Sequence, residues 1–175
     1  MNELFLSLAV LARDPEGAAT LERALRSALE RQDGPMFDEI AVLWGGAPAD
    51  RCREIVERLT DEFQAVAWAT YDLPAGFPLT ETGGLADFAA ARNLLYSKCR
   101  GAWIGYLDAD DIIPTAEVFE AKDAGPGDAT SLPPMTMKSF LQMLPSQINS
   151  MAFAYHYAHD HIGNVIVESY REWVR

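Results

Sequence analysis

Two rhythms of apolar and polar positions alternate along this chain. Four short runs are apolar almost without interruption: Leu4 to Leu11, broken only by Ser7; Glu39 to Trp44 (EIAVLW), apolar after its first residue; Ala65 to Thr70; and the segment that opens WIGYL at Trp103. Runs of this kind suit strands covered on both faces. Between them the apolar residues move to helical spacing. Leu21, Ala24, Leu25, Ala28 and Leu29 share one face of a segment from about Thr20 to Arg31, with arginines and glutamates opposite. Cys52, Ile55, Val56, Leu59 and Phe63 repeat the stripe from Asp50 to about Glu62, and Phe88, Ala91, Leu95 and Cys99 do so within Ala86 to Arg100. Strands alternating with helices predict an α/β domain with a mostly parallel central sheet and helices on both faces.

The breaks between these segments carry their own signals. Arg13-Asp14-Pro15-Glu16-Gly17 is a turn, Gly45-Gly46-Ala47-Pro48 ends the second strand, and Asp50 is placed to cap the helix that follows. Residues 72–84, rich in Pro, Gly and Thr, are too long for a tight connection, and such loops tend to carry function. Gly101 closes the third helix. After Pro114 the pattern changes: 123–134 reads as a loop, Met137, Phe140, Leu141 and Leu144 as a short helix, and Met151 to Tyr157 with Asn164 to Trp173 as a C-terminal β-hairpin turning near Gly163-Asn164.

Composition narrows the classes of function. The chain has 175 residues, 49% of them apolar, which suits one globular domain with a substantial core. A formal net charge of −12 opposes binding to a nucleic-acid backbone or an anionic membrane, but not to a nucleotide accompanied by a cation. Cys52 and Cys99 are too few and too far apart for a disulfide framework or a zinc site, and fit small buried positions. The N-terminal apolar run lacks a basic flank and is too short to span a bilayer, so a soluble, cytoplasmic protein is expected. His156, His159 and His161 beside Asp160 have no zinc-protease spacing and suit a solvated turn. There is no phosphate-binding P-loop and no nucleophile elbow.

The sharpest feature is WIGYLDADDII, residues 103–113, where an apolar strand runs into Asp108, Asp110 and Asp111. A buried strand does not keep three carboxylates, so the chain must surface there. Carboxylates this close repel unless a cation lies between them, and hard oxygen ligands two residues apart suit Mg²⁺ or Mn²⁺ escorting a phosphate. The same residues also suit an acidic turn.

Taken with the preceding Ala-Ala-Ala-Arg-Asn (89–93), this order of elements resembles the family 2 glycosyltransferases, which have the GT-A fold, a Rossmann-like sandwich. The resemblance runs from about Leu4 to Ile113 and, more loosely, over Tyr155 to Arg175. It implies one GT-A-like domain, with 1–113 as a nucleotide-binding half ending in the D-x-D motif and 114–175 as a shortened acceptor-side half, truncated after the nucleotide-binding portion. It implies transfer of a sugar of hexose type from a nucleotide-diphosphate sugar to a sugar, lipid or protein acceptor, with Mn²⁺ or Mg²⁺ as cofactor. Asp110 would reach the metal. Asp108 would share it or lie nearer the ribose, with Asp111 in support. Arg92 would face the nucleotide or diphosphate and Asn93 would hydrogen-bond nearby. Family members carry an acidic residue after the second strand; this chain has Trp44-Gly45-Gly46, so Trp44 is a candidate to stack on the base. Asp14 is the candidate for a base or ribose contact, and Asp50 matches a later Asp of that loop. For a general base the tail offers Asp160 and Glu168. An apolar surface left uncovered by the short C-terminus would favour a homodimer. The alternative is a non-catalytic GT-A-like domain that binds nucleotide or sugar or assembles with a partner.

Overall fold

The computed structural model describes residues 5–14, 16–31, 34–46, 49–113, 137–148, 150–159 and 165–174, with 151–159 and 165–173 as backbone. In order, its elements are β1 (Leu6–Ala12), α1 (Glu16–Leu29), β2 (Glu39–Trp44), α2 (Asp50–Glu62), β3 (Ala67–Asp72), α3 (Phe88–Tyr96), β4 (Trp103–Asp108), α4 (Met137–Met143), β5 (Ser150–His159) and β6 (Val165–Val174). The sheet order is β3-β2-β1-β4-β6-β5. Strands β1 to β4 are mutually parallel, β6 meets β4 antiparallel at Ile104 and Val174, and β5 pairs antiparallel with β6. The expected turn at Gly163-Asn164 lies outside the described residues.

Alternation along the strands separates two cores. One face of β1, β2 and β4 presents Leu6, Leu8, Val10, Ile40, Val42, Trp103 and Leu107 to the stripes of α1 and α2 and to Leu141 of α4. The other presents Ala9, Leu11, Ala41, Leu43 and Tyr106 to Ala91 and Leu95 of α3. Helices therefore cover both faces, as expected for strands without a polar side. In α1, Leu21, Leu25 and Leu29 are no more than 2% exposed, and burial of each contributes on the order of 2 kcal/mol.

Several expectations need correction. β3 runs two residues later than its apolar run suggests, because its ladder with β2 pairs Glu39 with Ala67 and Trp44 with Asp72. α3 is shorter than 86–100: Asp87 caps it, accepting from the Ala90 amide at 2.8 Å, and it ends at Tyr96 in two tight turns, Lys98 N to Leu95 O and Cys99 N to Tyr96 O. Phe88, assigned by periodicity to the buried stripe, is 58% exposed because it is the first residue of the helix and precedes the turn that packs. Asp50 does not cap α2: the N-cap is Ala49, without a side-chain cap bond, and Asp50 is an exposed first-turn acid.

The amino ends of the strands are tied by a polar cluster that apolar patterning does not reveal. Glu39, fully buried at the start of β2, accepts from Ser7 Oγ at 2.5 Å, Arg100 N at 2.8 Å and Arg100 Nε at 2.6 Å. Ser7 Oγ in turn accepts from Gly101 N at 2.8 Å. A Cβ on Gly101 would lie 2.6 Å from that oxygen, so the close approach of this connection to β1 requires glycine. Next to this cluster, Asp38 accepts from the amides of Phe5 and Leu6, both at 3.0 Å, and from Lys138 of α4.

Candidate functional site

The order β3-β2-β1-β4 makes the chain wind outward from β1 through β2 to β3 and then return to the far side of β1 for β4. The carboxyl ends of β1 and β4 thus form a topological switch point, where an open parallel sheet leaves a crevice for ligands. Register places Asp108 opposite Leu11, with Ala12 and Arg13 next along β1. The Asp111 amide closes a turn on Asp108 O at 3.1 Å, which carries Asp110 out to an exposed position at the mouth of this crevice. Ala109 of that turn lies against the start of α1, within 3.6 Å of where a Cβ on Gly17 would sit. The acidic cluster is therefore at a strand end beside the neighbouring strand's loop.

Period-two alternation sets Tyr106 and Asp108 on one face of β4, the face covered by α3. Tyr106 is 5% exposed, and its hydroxyl donates to Asp108 Oδ1. Arg92, one turn into α3, lays its guanidinium carbon 4.1 Å from the centroid of the Tyr106 ring, and Tyr96 meets the same ring edge-on at 6.4 Å. Arg92 Nε is buried without a hydrogen-bond partner. Burial, together with the bond to Asp108, pushes the Tyr106 hydroxyl well above its ordinary range, with Arg92 acting in the opposite sense. It stays a donor at any physiological pH. Asn93 is exposed on the adjacent position of α3.

Three loops meet on the β2 side of the crevice. Asp14, 7% exposed after β1, accepts from Arg51 N at 2.9 Å, Cys52 N at 3.2 Å and Cys52 Sγ at 3.1 Å. Both its oxygens cap α2 across the chain, the work that the sequence assigns to Asp50. Trp44 is 3% exposed, and Arg53 lies over its ring at 4.8 Å while pairing with Asp72. The 73–87 connection is ordered: Leu79 and Leu85 form an antiparallel bridge, Thr80 N donates to Gly84 O at 2.8 Å, and Gly84 N to Thr80 Oγ1 at 3.0 Å. It packs against Gly46, whose φ is +125° and at which a Cβ would collide with the Gly83 carbonyl oxygen. Arg13 lies against Gly84, 2.7 Å from where a Cβ would stand.

The structure thus brings Asp108, Asp110 and Arg92 to one strand end, with Asn93 on the neighbouring helix. It commits Asp14 to a cap, leaves Asp50 on the surface of α2 and buries the Trp44 ring. Asp160 lies outside the described residues; Glu168 is placed by its backbone in β6 opposite His156, and its side chain lies outside them. Period-two spacing alone points to Tyr106, which stands two residues before Asp108 and so shares its face of the strand. Among the described residues no three His, Cys, Asp or Glu side chains cluster as a metal site. Two carboxylates on one turn nevertheless suit Mg²⁺ or Mn²⁺, which take one or two carboxylates and complete their shell with phosphate oxygens and water.

The sequence profile described as glycosyl transferase family 2 matches residues 13–121, more than half of the chain. The chain belongs to glycosyl transferase family 2. The match takes in the three loops, Arg92 and the whole acidic turn. No protein of curated function matches the sequence. Among solved structures, the mannosyltransferase PcManGT from Pyrobaculum calidifontis, in complex with GDP-Man and Mn²⁺, is similar in fold, with a TM-score of 0.50 and 19% identity over 67% of this chain and 31% of that one. TarS from S. aureus has a TM-score of 0.49 and 18% identity over 65% of this chain and 18% of its own length. TarS 1–349 in complex with UDP-GlcNAc has a TM-score of 0.46 and 19% identity, covering 63% of this chain and 28% of that one. This chain therefore spans 18–31% of the length of these solved structures. No helix among the described residues is long and apolar enough to cross a membrane.

Proposed function

We propose that this family 2 chain binds a nucleotide-diphosphate sugar at the β1/β4 switch point and supplies the donor half of a metal-dependent glycosyl transfer. The observation that carries the reading is the position of Asp108 and Asp110: the paired carboxylates stand at the carboxyl end of β4, beside the β1 loop, in the crevice that an open parallel sheet offers to ligands. Asp110, exposed on the turn, would hold Mn²⁺ or Mg²⁺ together with Asp108. When bound, such an ion offsets the negative charge that grows on the departing diphosphate. Asp108 is held from behind by Tyr106, so its carboxylate meets the ligand in one orientation. The loop at Thr80–Gly84, which lies against Arg13 and Gly46, would offer hydrogen-bonding groups to the donor, and Asn93, exposed on α3, would be a further candidate. PcManGT was solved with GDP-Man and Mn²⁺, which supports testing Mn²⁺ with several nucleotides.

The second reading, a domain that binds nucleotide without transferring sugar, is favoured by one observation. Asp14 is occupied as a cap and Trp44 is buried, so neither offers the base the group expected of it. Titration calorimetry with UDP, GDP, ADP, CDP and dTDP, with Mn²⁺ and then with EDTA, tests the shared site. Metal-dependent binding of one nucleotide, lost in Asp110→Ala, is expected. Binding unchanged by Asp110→Ala removes the metal assignment, and no binding of any nucleotide removes the donor-site reading. Release of sugar to an acceptor, against hydrolysis or no turnover, separates transferase from binder.

A further inference from the structure

Arg92 of α3 touches Tyr106, and Tyr106 in turn touches Asp108 at the end of β4. The resemblance places Arg92 against the diphosphate, yet its guanidinium lies 4.1 Å from the centroid of the Tyr106 ring with Nε buried and unpartnered. A cation in that position is held by the ring face, an attraction that strengthens as water is excluded. Tyr106 itself is packed among Leu11, Leu43, Ala91 and Leu95, with Tyr96 edge-on, so it has one orientation in which to point its hydroxyl. That orientation ends on Asp108 Oδ1. A hydrogen bond from a side chain this tightly packed restricts the rotamers open to a carboxylate at a strand end.

We propose that Tyr106 is a positioning residue of the donor site: it fixes the Asp108 carboxylate for the metal-diphosphate, and Arg92 acts on the site through Tyr106 rather than by touching phosphate. This rests on the donor-site reading above. The consequence is a split by metal. A guanidinium that binds phosphate contributes to nucleotide affinity with or without the cation. One that braces Tyr106 matters only where Asp108 matters, in the metal-dependent part. Removing both members of a single brace should also cost no more than removing one.

The test uses Tyr106→Phe, Arg92→Met and the double variant, with the nucleotide found by the panel. Calorimetry gives its affinity with Mn²⁺ and with EDTA, electron paramagnetic resonance counts free Mn²⁺, and thermal melts report folding. Tyr106→Phe keeps the ring and removes one charge-assisted hydrogen bond. It is expected to weaken Mn²⁺-dependent binding about tenfold, to leave binding in EDTA within about twofold, and to retain a cooperative melt. Arg92→Met should weaken the same term and, in the Tyr106→Phe background, add less than about twofold. Wild-type affinity in Tyr106→Phe, or losses that multiply in the double variant, would overturn the brace. So would an equal loss in EDTA for Arg92→Met, which reports a direct phosphate contact. That last comparison needs only the Arg92 variant and stands even where Tyr106→Phe fails to fold. Absence of nucleotide binding by the wild-type chain overturns the donor-site reading itself, and this inference with it.

Discussion

Replacing Glu39 by glutamine tests the reading of the amino-end cluster. The side chain is fully buried and accepts three hydrogen bonds, two on Oε2 from Ser7 Oγ and Arg100 N, and one on Oε1 from Arg100 Nε. Glutamine keeps the shape and one acceptor. Its carbonyl is best used at the Oε2 position, where two donors converge, which leaves its NH₂ facing Arg100 Nε, donor against donor. Because the Arg100 side chain is 59% exposed, it can turn to water, so the loss is one charge-assisted bond softened by solvent. That is about 2 kcal/mol, or roughly 4–8 °C in melting temperature for a chain of this size. Glu39→Ala also leaves Ser7 Oγ and Arg100 N without their acceptor and should cost about 3–5 kcal/mol. Urea unfolding followed by circular dichroism measures both, provided the slopes match the wild type so that midpoints report stability alone. Nucleotide affinity below the melt should not change, since Glu39 sits at the opposite strand end from Asp108. A Glu39→Gln midpoint within about 0.5 kcal/mol of wild type, or Glu39→Ala no worse than Glu39→Gln, would refute the reasoning.

Glu22 joins α1 to α2 through Arg58, at 2.7 Å, and meets Arg26, at 2.9 Å; the hydrogen bonds from Arg58 and then Arg26 hold its carboxyl at about 2 instead of 4.5. A depressed carboxyl stabilises the fold above about pH 4.5 and loses that contribution as pH falls towards 2, so urea midpoints of Glu22→Gln should lie below wild type at pH 7 to 8 and fall less steeply than wild type between pH 4.5 and 2. Gly46→Ala should lower the melt by the equivalent of about 1–3 kcal/mol and weaken nucleotide binding, because the new Cβ displaces the Thr80–Gly84 loop. Asp14→Ala should cost about 1–2 kcal/mol through the lost cap of α2; an equal melt with lost nucleotide affinity would instead make Asp14 a ligand contact. Burial pushes both Cys52 and Cys99 up to about 12, so iodoacetamide at pH 8 should label neither thiol in the folded chain and both in urea.

Local pattern alone determined β2 to the residue and located α2, because a continuous apolar run between Asp38 and Gly45 and a helical stripe leave little choice of period. It also located the acidic turn, since three carboxylates cannot follow an apolar strand without surfacing. β3 lies two residues beyond its apolar run because its ends are set by pairing with β2, and pairing is not written in its own run. The exchange of roles between Asp14 and Asp50 shows the same limit. Both are aspartates beside α2's amides in the fold, but only one is beside them in sequence, and the distant one caps. Glu39 looked like the polar start of a strand and is a buried acceptor, a difference made by Ser7 and Arg100 arriving from β1 and the α3–β4 connection. The proposed donor site divides likewise. Sequence supplied Asp108, Asp110 and Arg92 as residue types, while the contacts of Arg92 with Tyr106 and of Tyr106 with Asp108 exist only where α3 is laid on β4. Hydrophobic period is a property of neighbours along the chain; the partner of a polar group is whatever the fold brings within about 3 Å, and that is decided by packing.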